Sequence, residues 1–189
     1  MQVKFNEGAS YITQDGNNYT LKQLHWHAPS EHTMNHKKFP LELHLVHKSE
    51  DGSISVAAIL YDFGKPDPFI SQVLTAWMQL KDVVTRLGAD RLAELPVDRV
   101  KMKALKRRTR WLFEYMGSLT TPPCSENVTW HVFGKVRKVT YDQVALIRSP
   151  LTHEFQHNSR PTQPLNGRAV ELYDQRKHNH HSKRWSHGG

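Results

Sequence analysis

Hydrophobic and polar positions alternate through YTLKQLHWHA, residues 19–28, among aromatic and β-prone side chains. A period of two predicts a strand. LELHLVHKS, residues 41–49, repeats the pattern. The Asp51-Gly52 turn then leads into SISVAAILYDF, residues 53–63, whose nearly continuous apolar run predicts a strand buried on both faces. Upstream, residues 2–13 read as short extended segments closed by a turn at DGNN, residues 15–18. The period changes at residues 67–84, where Phe69, Ile70, Val73, Leu74 and Trp77 recur at three and four. That spacing predicts an amphipathic helix, with Asp67-Pro68 as cap and first turn. A loop enters another strand at 128–133. Thr140 caps a short helix over 140–149, and the proline-broken residues 159–173 end in a short strand. Together these elements predict a mixed α/β fold dominated by β structure. Its centre is a mainly antiparallel twisted sheet with a few short peripheral helices.

With 189 residues the chain is long enough for one domain with a sizeable core, placed at residues 1–173. Residues 174–189 read as a basic, histidine-rich, disordered tail. The net charge of +8 adds little to this. Its excess sits in KMKALKRRTR, residues 101–110, and in the tail. The aromatic interleaving of the first run is thin, so a solvated basic face is preferred to a nucleic-acid surface, and no nucleic-acid partner is expected. No run of 18 apolar residues occurs, so no membrane-spanning helix is expected. The first ten residues lack the apolar stretch of a signal peptide. Neither a phosphate-binding Gly-rich loop nor a GxSxG elbow is present. Cys124 is the single cysteine and cannot form an internal disulfide.

The chemistry lies in the histidines. On a strand, His25 and His27 point to one face and Trp26 to the other. In the next strand Glu42, His44 and Val46 share one face, and Leu43, Leu45 and His47 share the other. If the two strands pair, three imidazoles converge. Three neutral nitrogen ligands with a fourth position open are the arrangement of a catalytic zinc, although copper, nickel and cobalt suit the same donors. The alternative is three hydrogen-bonded structural histidines, the role assigned to His32 and His47. Gln23 and Glu42 stand two residues before His25 and His44. Each is placed to accept the ring N–H that a metal leaves over. The tail histidines His178, His180, His181 and His187 lack fixed geometry for a specific site.

QLHWHAPSEH, LELHLVH, GSLTTPPCSENVTWHVF and NSRPTQPLNGR, in this order, resemble the α-class carbonic anhydrases, above all their plant-type branch. The resemblance runs over residues 2–173. It implies a zinc enzyme that reversibly hydrates carbon dioxide to bicarbonate and a proton by attack of zinc-bound hydroxide. His25, His27 and His44 would be the zinc ligands, and Gln23 and Glu42 the acceptors behind two of them. Thr120 would accept a hydrogen bond from the hydroxide and donate one to Glu31. Thr121 would line the bicarbonate site. Val46, Val56, Leu119, Val128 and Trp130 would form the apolar wall for carbon dioxide.

Family members resembling this chain are longer at the N-terminus. The resemblance places the proton-shuttling histidine and the partner of Cys124 there, so low stability and slow turnover are expected of this chain. It implies the secretory pathway or the extracellular space, with the plastid stroma as the alternative. The competing functional reading is a catalytically idle storage or binding protein on the same fold.

Overall fold

A computed structural model describes residues 2–5, 10–87, 101–105, 109–149 and 157–176. Among these residues ten strands and two α-helices follow along the chain, besides a 3-10 turn at Met102–Leu105: β1 Gln2–Lys4, β2 Tyr11–Gln14, β3 Asn17–His27, β4 Thr33–Met34, β5 Lys37–Lys38, β6 Leu41–Lys48, β7 Ile54–Phe63, α1 Pro68–Leu87, β8 Trp111–Gly117, β9 Val128–Val139, α2 Tyr141–Arg148 and β10 Glu171–Asp174. Eight strands form one sheet in the order β1-β3-β6-β7-β9-β8-β10, with β2 beside β1 on β3. Every pairing in it is antiparallel except β7 with β9. Parallel neighbours need a long crossover, and the chain between these two strands carries α1 and β8.

Local chemistry accounts for the turns. Gln14 pairs with Asn17, which leaves Asp15-Gly16 as a two-residue hairpin loop. Both residues have positive φ, 50° and 82°, the pair that the right-handed twist of a hairpin requires and that Asp-Gly supplies. Helix α1 starts where Asp67 accepts hydrogen bonds from the N–H groups of Phe69 and Ile70, at 2.9 and 3.0 Å. Helix α2 carries the capping box expected from Thr140, with Gln143 as its reciprocal partner.

Alternation gives the sheet two unlike faces. Leu24, Trp26, Leu43, Leu45, Ala57, Ile59 and Tyr61 point to one side, where Phe69, Ile70, Val73 and Leu74 of α1 and Val144 and Ile147 of α2 cover them. Val56, Ala58, Leu60, Val128, Trp130 and Val132 point to the other. A register shift between Leu21 and Gln23 lets Leu21 join the helix-covered core while Gln23 faces away from it.

Three features differ from the sequence reading. Strand β8 went unread because it follows a basic run and its apolar residues do not alternate cleanly. The strand entered at Val128 continues to Val139, because its second half pairs with Tyr61–Phe63 of β7. A hairpin, β4–β5, turns through Asn35 and His36, both at positive φ. The tail histidines lie outside the described residues, as does part of the 101–110 run. No described helix is long and apolar enough to cross a membrane.

Candidate metal centre

Pairing of β3 with β6 sets His25 opposite His44 and His27 opposite Glu42. Directly opposed antiparallel residues share a face. The three rings therefore meet on the face away from the helices, with centroids 4.8, 5.2 and 4.7 Å apart. One ring nitrogen from each lies within 4.8 Å of the others.

Each ring is oriented by an acceptor behind it. His25 Nδ1 lies 2.8 Å from Gln23 Oε1. His44 Nε2 lies 2.7 Å from Glu42 Oε1. His27 Nδ1 lies 2.9 Å from the main-chain carbonyl of Asn158. An N–H on that side leaves a lone pair on the other nitrogen. His27 Nε2 is buried and has no hydrogen-bond partner, an unmet acceptor aimed into the cluster. Burial, followed by the neighbouring His44 and His27, pushes His25 down to about 2. Burial and then His44 lower His27. Neutral imidazoles are the form a cation needs, so the donor set fits a soft or borderline divalent ion such as zinc.

Asn158 was missed in the sequence because its hydrogen bond to His27 comes from the main chain and spans 131 positions. Its side chain strengthens the link. Oδ1 accepts from the Ala28 N–H at 3.0 Å, and Nδ2 donates to the Trp26 carbonyl at 3.1 Å. The asparagine thus grips the end of β3 on both sides of His27.

Glu42 has no solvent exposure, and four donors satisfy it. Oε2 accepts from the N–H groups of Glu31 and His32, both at 2.8 Å. Oε1 accepts from His32 Nδ1 at 2.5 Å as well as from His44. Burial alone would raise this carboxyl, but His32 and His44 hold it well below the usual range. Burial likewise opposes charge on His32, yet Glu42 outweighs it and raises the imidazole. Tyr115 completes the chain, its hydroxyl 2.7 Å from His32 Nε2. His32, Glu42 and His44 form a second group with close donor atoms. Their mutual hydrogen bonds use the atoms a cation would need, so the first group is the better site.

The remaining expected residues divide. Val46, Val56, Leu119, Val128 and Trp130 fall in one apolar cluster, and the Trp130 ring lies 4.8 Å from that of His44. Glu31 is buried beside the histidines. Its Oε1 accepts from the Arg160 N–H at 2.7 Å, and its Oε2 lies 3.9 Å from His44 Nδ1 and has no hydrogen-bond partner. Thr120 lines the same cavity as Glu31, but among the described residues no hydrogen bond joins the two. Thr121 is exposed in the turn that its carbonyl closes by accepting from the Cys124 N–H at 2.9 Å. Cys124 is free.

Comparison with known proteins bears on the family and the fold. The family described as eukaryotic-type carbonic anhydrase matches residues 1–174. Alpha carbonic anhydrase 7 of Arabidopsis thaliana is 42% identical over 173 residues, which are 92% of this chain and 60% of the relative. The chain thus spans about 60% of the length of such curated relatives. Among solved structures, a dioscorin complexed with ascorbate is similar with a TM-score of 0.79 at 35% identity, covering 92% of this chain and 70% of that one. The α-carbonic anhydrase of Thermovibrio ammonificans, solved with the inhibitor sulfanilamide, reaches a TM-score of 0.73 at 35% identity over 89% and 69% of the two chains.

Proposed function

Because the chain belongs to the eukaryotic-type carbonic anhydrase family, we propose that it binds zinc through His25, His27 and His44 and reversibly hydrates carbon dioxide to bicarbonate and a proton. The observation that carries this reading is the buried, partnerless Nε2 of His27, set among ring nitrogens within 4.8 Å of one another. Zinc supplies the Lewis acidity that makes water nucleophilic near neutral pH.

The protein's own residues do the rest. Gln23, Glu42 and the Asn158 carbonyl fix which nitrogen of each ring carries its proton, so that the opposite lone pairs converge. Val46, Val56, Leu119, Val128 and Trp130 offer carbon dioxide an apolar wall, which suits a molecule without a net dipole. Glu31 keeps Oε2 as an acceptor for the hydroxyl of Thr120. A threonine that donates there can only accept from the attacking solvent oxygen, and this aims the oxygen's lone pair at the substrate carbon.

Metal analysis and stopped-flow hydration on the purified chain test the reading. One zinc per chain and a rate above background are expected, with both lost in His44→Ala. Zinc content unchanged by His44→Ala would overturn the assignment. The unpartnered Oε2 of Glu31, with no hydrogen bond from Thr120, and the likeness to dioscorin favour a second reading, a family member that binds without turning over. Stoichiometric zinc with no hydration would select it.

A further inference from the structure

We propose that Asn18 and Asn127 each carry an N-linked oligosaccharide, one on either side of the turn between β6 and β7. Eight asparagines occur in the chain, and only these two open an Asn-x-Thr triplet, Asn18-Tyr19-Thr20 and Asn127-Val128-Thr129. Such a triplet accepts sugar when its asparagine belongs to the surface. Both asparagines are exposed, whereas the middle residues, Tyr19 and Val128, are buried and anchor the triplets to the sheet. The fold by itself does not account for these residues. Asparagine is a poor strand former, yet Asn18 stands inside β3. Thr13 Oγ1 donates to its Oδ1 at 2.9 Å, and its Nδ2, the atom that would take the sugar, makes no hydrogen bond among the described residues. The positive φ of Asn127, 62°, suits asparagine but would suit glycine as well. It places no demand on Thr129, which is half-buried and whose hydroxyl makes no hydrogen bond among the described residues. Asn158 differs on both counts: Ser159 and Arg160 follow it, and both ends of its amide are engaged.

The strand register brings the two triplets to one end of the sheet. Thr20 lies opposite Lys48, Lys48 opposite Ile54, and Ile54 beside Val128, in a single row across β3, β6, β7 and β9. Burial and then the Asp51 carboxylate raise the Tyr19 hydroxyl, which sets that residue against the same β6–β7 turn. The two helices begin beyond the other end, after the paired Phe63 and Val139. His44 lies opposite Ala58, and the run of β7 from Ile54 to Ala58 covers about 13 Å. Sugars on the two asparagines therefore cover the turn end of the sheet and stand clear of the histidines. In the transfer, asparagine Nδ2 bonds to the anomeric carbon of an oligosaccharide carried on a lipid pyrophosphate. The bond from that carbon to the pyrophosphate oxygen breaks, the lipid pyrophosphate leaves with the electron pair, and the amide proton passes to a base of the transferase. Donor and transferase belong to the secretory lumen, so the proposal also places the chain there. It requires neither zinc nor hydration.

Mass spectrometry of the protein isolated from its own tissue tests this. Its peptides are treated with peptide N-glycosidase in water enriched in heavy oxygen, which releases the sugar and leaves a labelled aspartate in place of each glycosylated asparagine. The label should appear at positions 18 and 127 and not at Asn158 or Asn166. A control without the enzyme should show no label, which excludes spontaneous deamidation. The full chain is then expressed behind a secretion leader in eukaryotic cells. Thr129→Ala should abolish the label at position 127, and Thr129→Ser should keep it. The label at position 18 should persist in both and so report that the variant passed through the lumen. An unmodified asparagine at either position in the isolated protein, or a label at position 127 that survives Thr129→Ala, would overturn the proposal. Either result leaves the zinc and hydration reading standing, and loss of zinc binding leaves this one standing.

Discussion

The two faces of the sheet are cut from the same strands, and they differ in what their neighbours ask of them. Leu43 and His44 are adjacent on β6 and both are buried. Leu43 enters an apolar layer closed by α1 and α2. It needs only volume and contact, which other apolar residues could supply. His44 enters a layer where every polar atom has a geometric duty, and its neighbours were chosen by direction rather than size. The apolar face is not free of polar groups. His131 Nε2 lies 3.0 Å from Gln14 Oε1 there, with Ser55 Oγ 3.3 Å from the same oxygen. That cluster sits at the end of the sheet nearest the β2–β3 hairpin, away from the helices' footprint. The lesson is that one period of two writes both stability and chemistry, and that substitutions on alternate residues should separate them.

Leu43→Ala is the harshest way to break the division. Leu43 has no solvent exposure and lies in the helix-covered cluster. Truncating such a leucine leaves a cavity and should cost about 2–5 kcal/mol. Urea unfolding with the metal removed measures this loss. The folded fraction should still take up one zinc per chain, as the wild-type chain is proposed to do. A folded Leu43→Ala chain without zinc would show that the apolar layer also sets the ligand geometry, and the two faces would no longer be separable.

A milder test stays on the polar face. Gln23→Ala removes the acceptor 2.8 Å behind His25 Nδ1 and nothing from the apolar core. The ring then loses the partner that fixes its tautomer, and zinc affinity should fall about 10–100-fold. Competition against a chromophoric chelator reads this directly. An affinity within twofold of the wild-type value would mean that the strand pairing alone orients His25. Unfolding of the metal-free chain should change far less than in Leu43→Ala.

How much of this was legible in the sequence follows from the range of each interaction. Alternation over residues 19–28 and 41–49 was enough to put His25 with His27 on one face of its strand and His44 with Glu42 on one face of the next, because side-chain direction on a strand is a local property. That the two faces coincide comes from the pairing of β3 with β6. The Asp67 and Thr140 caps were readable because they too are local. Strand β8 was not, since its place in the sheet comes from pairing with β9 and β10 rather than from its own pattern. Asn158 was invisible as a partner of His27, because any residue type offers a main-chain carbonyl. The absence of a hydrogen bond from Thr120 to Glu31 Oε2 was also beyond the sequence. It depends on how the loop after β8 settles, with the Leu119 N–H bonded to the Ser125 carbonyl and Trp130 Nε1 to that of Ser118, at 2.9 and 3.0 Å.

The smallest expected effect is the sharpest check on the independence of the faces. Thr140 Oγ1 accepts from the Gln143 N–H at 3.2 Å, and Gln143 Oε1 accepts from the Thr140 N–H at 3.3 Å. Gln143 also exchanges hydrogen bonds with the main chain of Asp67, the cap of α1, both at 2.9 Å. Thr140→Ala removes the hydroxyl but leaves that second set intact, so α2 stays tied to the start of α1. The cost should therefore be near the ordinary value for a lost cap, about 1 kcal/mol. It should appear as a lower denaturant midpoint with an unchanged slope, since the same surface is exposed on unfolding. Zinc affinity should not move, because helix α2 meets the sheet through Val144 and Ile147 on the apolar side and through Tyr141 stacked on Phe63 at the end of β7, none of them beside the histidines. A fall in zinc affinity with Thr140→Ala would mean that strain passes through the sheet from the helices to the histidines, and the two faces would then have to be treated as one unit.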